Sequence, residues 1–155
     1  MTTDFELLPS PEPGELGRTI VTDVLVGESE QVRIVARQVV VFRSCVSLRL
    51  ELIRAPGSSI ENWWENSRAA LRQRNIVSAG DVVDASGGFR IEIVEGFDVI
   101  VREGAGGGED RLVVDYCGAK QTMAGRYVLQ FHWPDFGIEG AELVVHLSEE
   151  RSSGS

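Results

Sequence analysis

Chemistry-bearing side chains are scarce in this chain. Its 155 residues include two histidines (His132 and His146), two cysteines (Cys45 and Cys117), two methionines and a single lysine, Lys120. The histidines show neither HExxH nor HxxxH spacing and the cysteines form no CxxC pair, so the sequence signs of a zincin, a zinc finger or a thioredoxin-type site are missing. No GxSxG elbow offers a serine nucleophile. The run Gly104-Ala105-Gly106-Gly107-Gly108 precedes neither a Gly-Lys pair nor a helical pattern, and it reads as a hairpin loop rather than a phosphate cradle. No apolar stretch reaches the roughly 20 residues of a membrane helix. No cofactor is implied.

Positive charge is also in short supply. Lys and Arg total 15 against 24 Asp and Glu, for a net charge of −9. A surface of that sign argues against sequence-independent binding to nucleic acid and against anionic membranes. It suits a basic protein partner, or solubility alone. The opening MTTDFELLPSPEPGEL has no basic segment followed by an apolar one, so no secretory leader is read there and a cytoplasmic location is expected. In a reducing compartment the two cysteines are expected as free thiols.

What the chain has in quantity is period-two alternation. Tyr127, Leu129, Phe131 and Trp133 alternate with Val128, Gln130 and His132, and Ala141, Leu143, Val145 and Leu147 alternate with Glu142, Val144 and His146. Each run reads as a strand with one buried face, and Pro134, Gly137 and Gly140 supply the turn between them. Thr19 to Val26, Gln31 to Phe42 and Val46 to Ile53 read as a three-stranded meander. In its middle strand Val32, Ile34, Ala36, Val40 and Phe42 share a face that Gln38 interrupts. Phe89 to Ile93 and Phe97 to Val101 read as strands about a hairpin turn at Glu95-Gly96, and Leu112 to Tyr116 as one more.

One helix is expected, near 59–74. Ser58 and Glu61 form a capping box, and Ile60, Trp63, Trp64, Ser67 and Leu71 fall on one face. The fold class is therefore mainly β: an antiparallel two-sheet sandwich, immunoglobulin-like or similar, with one amphipathic helix. Residues 1–17 read as a disordered, acidic, proline-rich arm, 18–147 as a single β-rich domain, and 148–155 as a polar tail.

Candidate binding residues come from two places. On the final hairpin, His132, His146, Gln130 and Glu142 lie on the face opposite the apolar one, and two imidazoles with a carboxylate are the weak beginnings of a zinc site. On the expected helix, Trp64 with Arg68 at i+4 could anchor a partner. No catalytic set is visible.

Three stretches taken together are similar to an uncharacterised family of small bacterial β proteins: VVVFRSCVSLRLEL, GAGGG, and a last hairpin carrying Trp133-Pro134 and then Gly137-Ile138. The resemblance covers about residues 31–147. It implies a β fold and carries no activity, cofactor or catalytic residue. The function expected is a non-enzymatic protein-interaction module: an acidic inhibitor or immunity-type protein, or a subunit of a larger assembly, with a protein partner or self-association. The alternative is a small-molecule or metal-binding protein, such as a hydrolase, using the His132/His146 surface.

Overall fold

The computed structural model describes residues 14, 16–55, 76–80, 89–107, 110–120 and 125–146. Nine strands run in order: β1 (Arg18–Glu28), β2 (Val32–Val41), β3 (Cys45–Arg54), β4 (Ile76–Ser78), β5 (Arg90–Glu95), β6 (Phe97–Gly107), β7 (Arg111–Lys120), β8 (Arg126–Trp133) and β9 (Ile138–His146). They form a six-stranded sheet, β1-β2-β3-β7-β6-β4, and a three-stranded sheet, β5-β8-β9. Every pairing is antiparallel. Six strands against three differs from the four against three of an immunoglobulin constant domain.

One core joins the sheets. Ile34, Leu48, Leu50, Leu52 and Val114 from the large sheet pack with Tyr127, Leu129, Phe131 and Leu143 from the small one. Trp133 is 1% exposed and sits edge-on to Phe89 and Phe136, with ring centroids 5.5 and 4.8 Å away. The alternation of the last hairpin therefore has its expected meaning. Pro134–Phe136 makes a 3-10 turn, and Gly137 closes it at φ 79°, a left-handed conformation that glycine enters without steric cost. The meander β1-β2-β3 also stands as expected.

The amphipathic helix near 59–74 lies outside the described residues, as do the arm over 1–13, the polar tail and Leu147; among the described residues there is no α-helix. Three other expectations need revision. Glu95-Gly96 is not a hairpin turn. β5 pairs with β8 and β6 with β7, so the chain crosses from the small sheet to the large one at Gly96. Gly96 has φ 95°, and a Cβ there would strike the Arg126 carbonyl oxygen and the Tyr127 ring. Gly104 to Gly107 is not a loop. These residues are strand, opposite Asp115, Val114, Val113 and Leu112 of β7. Finally, the break in β2 is a bulge at Arg37: Ala36 pairs with Leu50, but Gln38 pairs with Arg49. One extra residue shifts the phase by one, so Val39, not Val40, continues the buried face.

Candidate functional site

The outward face of the small sheet holds the histidines. His132 Nε2 lies 3.0 Å from Glu92 Oε1, and the Gly140 N–H donates to His132 Nδ1 at 3.1 Å. A ring nitrogen that accepts carries no proton, so the proton sits on Nε2 and donates to Glu92. Gly140, at φ 73°, turns its N–H toward the ring. Both nitrogens are engaged, and neither is left over for a metal or a substrate proton. Gln130 Nε2 is 3.5 Å from Glu142 Oε2. His146 pairs with Arg126, six positions along β8 from His132, which separates the two imidazoles by about 20 Å. The hairpin brings His132, Gln130 and Glu142 onto neighbouring positions and leaves His146 at its far end. Among the described residues no group of three His, Cys, Asp or Glu could hold a metal ion. Trp64 and Arg68 lie outside the described residues.

The outward face of the large sheet is more developed. Gln38 pairs with Arg49, Arg49 with Asp115, and Asp115 with Gly104, so four strands contribute one rung. Arg49 grips Asp115 with two bonds, Nε to Oδ1 at 2.7 Å and Nη2 to Oδ2 at 3.2 Å. That bond, reinforced by the carboxylate's charge, raises the Arg49 pKa. Over this rung lies an open depression of about 270 Å³, lined among others by Gln38, Ser47, Arg49, Glu103 and Asp115. It is smaller and more polar than most small-molecule pockets, and its size suits a side chain better than a whole ligand.

Beside the depression a carboxylate is buried. Glu51 is 3% exposed and is the one buried charged residue among those described. The bulge at Arg37 aims that guanidinium at Glu51 Oε1, and Arg111 Nη1 lies 2.9 Å from Oε2. Arg37 also reaches Asp23 at 3.1 Å. Its pKa is raised, first by the bond to Glu51 and then by that to Asp23. These contacts tie β1, β2, β3 and β7 together and give the face a rigid floor.

Neither cysteine is an activated nucleophile. Both are buried, and the Cys117 thiol is pushed up mainly by desolvation, with Cys45 beside it adding to the shift. Sequence reasoning missed Arg37, Arg49, Glu51, Glu103 and Asp115. The signal was present in β3, where Ser47, Arg49 and Glu51 alternate with Val46, Leu48, Leu50 and Leu52. What Arg49 would face depended on Asp115, 66 positions away.

No family profile, no curated protein and no solved structure matches this chain. None of the helices among the described residues is long and apolar enough to cross a membrane.

Proposed function

We propose that this protein is a non-enzymatic interaction module that binds a protein partner through the outward face of its six-stranded sheet. The observation that carries this reading is the Gln38–Arg49–Asp115–Gly104 rung, with an open polar depression above it and the Asp23–Arg37–Glu51–Arg111 ion network holding its floor. A fixed pattern of charge on a rigid sheet selects partners by complementarity, and a net charge of −9 favours a basic one. An acidic inhibitor of a basic target is the version this charge supports.

The His132 surface supports the metal or hydrolase reading less well, because both imidazole nitrogens are already bonded and His146 is distant. A photo-crosslinking residue at Gln38 tests the proposal in native lysate. One partner captured at low salt and released at high salt, and lost on Asp115→Arg, is expected. Capture unaffected by Asp115→Arg would place recognition on another surface.

A further inference from the structure

Among the described residues, the second half of β6 leaves backbone bare. β4 accompanies β6 only at Val99, Ile100 and Val101. Beyond Val101 no described strand lies on that side, while β7 follows the other side as far as Gly107. Glu103 to Gly107 are all exposed. A Cβ at Gly104 or Gly106 would meet nothing within 4 Å. An unpaired strand edge is a template for another strand, and natural edges are blunted by charge, proline, bulges or a covering segment. The bulge between Arg102 and Gly104 lies at the start of this stretch and leaves Gly104 to Gly107 in regular register with β7. Residues 103–107, Glu-Gly-Ala-Gly-Gly, contain no lysine or proline.

We infer that an extended segment of a partner protein, bearing arginine or lysine at alternate positions, adds to β6 along residues 103–107 as a further strand of the large sheet. This rests on the interaction-module reading and names the partner's chemistry. Main-chain hydrogen bonds supply the binding and alternate side chains the selectivity. Gly104 pairs with Asp115, so both positions share the outward face. With no side chain at Gly104, the depression opens toward the edge. Neighbouring strands lie about 4.8 Å apart, so a long basic side chain from the added strand reaches Glu103 directly and extends over Gly104 toward Asp115. Glu103 has no ion pair among the described residues, and it is the one charge on the bare stretch. A second copy of this chain fits worse, because each copy would bring a net charge of −9 and its own Glu103 to the contact.

The test uses the full chain and a labelled nine-residue peptide alternating valine and arginine. Two controls replace its arginines with glutamate or its central valine with proline. The proline peptide keeps the charge and loses strand pairing, which separates edge addition from general attraction to an acidic protein. Binding is read by anisotropy, and amide hydrogen exchange reports where the peptide lies. The arginine peptide is expected to bind at least tenfold more tightly than either control and to slow exchange within 103–107 at least tenfold. Glu103→Gln is expected to weaken it severalfold at low salt and to have no effect at high salt. Equal binding of the proline peptide, or binding with unchanged exchange over 103–107, would overturn the proposal. So would a concentration-dependent dimer protected at 103–107, which would assign the edge to a second copy. A lysate partner crosslinked at Gln38 but leaving 103–107 unprotected would reject this edge and keep the interaction-module reading. Absence of both peptide and partner binding would reject both.

Discussion

In the β8–β9 hairpin the turn is tight, and the inward face carries Tyr127, Leu129, Phe131 and Trp133, all at most 3% exposed. In the neighbouring β6–β7 pair, the far half of β6 is Gly104-Ala105-Gly106-Gly107 and is exposed throughout. Both are antiparallel pairings in the same molecule. The first is held by side chains, and its outer strand, β9, is itself an edge of the small sheet. The second is held by its ladder to β7 and presents backbone almost alone. Large side chains build a core, whereas a strand that lacks them leaves its backbone open to solvent.

The largest expected effect lies in the first region. Trp133→Ala should destabilise the protein by about 3–5 kcal/mol in urea titration, because a fully buried aromatic leaves a cavity between Phe89 and Phe136. A loss under about 1 kcal/mol would break the claim that this hairpin is the packed one. Next in size is the glycine contrast. Gly96→Ala, at φ 95° and against Tyr127, should cost on the order of 2 kcal/mol, whereas Gly104→Ala, in open space, should be neutral or stabilise by up to about 1 kcal/mol. Equal effects at the two sites would erase the distinction between glycine required by geometry and glycine that merely leaves room.

The ion network should respond at a similar scale. Arg37→Ala removes one of two arginines from the buried Glu51 and should cost about 1.5–3 kcal/mol. The half-exposed pair of Arg126 and Glu95 on the small sheet should contribute under about 1 kcal/mol. If Arg126→Ala cost as much as Arg37→Ala, the large sheet's network would have no special standing.

A further expectation concerns alkaline pH. Burial raises the pKa of both Tyr116 and Tyr127 in the folded chain. The unfolded phenols lose their protons near pH 10, so above that the unfolded state binds fewer protons than the native one. Stability contributed by keeping these rings neutral is thus fully present below about pH 10 and lost as pH rises toward the folded values. Urea midpoints measured from pH 8 to 11 should fall above about pH 10, and Tyr116→Phe should flatten the fall. A midpoint that rises across that range would contradict the burial of these phenols.

Where side chains alternate over a long run, the arrangement was legible. The last hairpin, its turn at Pro134 to Gly137 and the opening meander follow from period-two patterning and from residues that cannot donate or that accept positive φ, although Gly140, expected in the turn, lies within β9. The glycine run was misread because glycine carries no side-chain pattern; strand and loop look alike until a partner strand supplies hydrogen bonds. Gly96 was misread because positive φ marks any sharp redirection, and a hairpin and a crossing between sheets share that local demand. The bulge at Arg37 showed only as an apolar pattern broken at Gln38.

The sequence by itself determined that the chain would be rich in strands, that the faces carrying Trp133 and Phe131 would turn inward, and that the net charge would be −9. These follow from local periodicity and composition, which act without knowledge of partners. Only the tertiary structure decided that Asp115 would meet Arg49, that Glu51 would be buried between Arg37 and Arg111, and that β6 would outrun β4 and leave an edge. Those outcomes depend on which strands pair and in what register, and that is settled by packing between residues far apart in the chain.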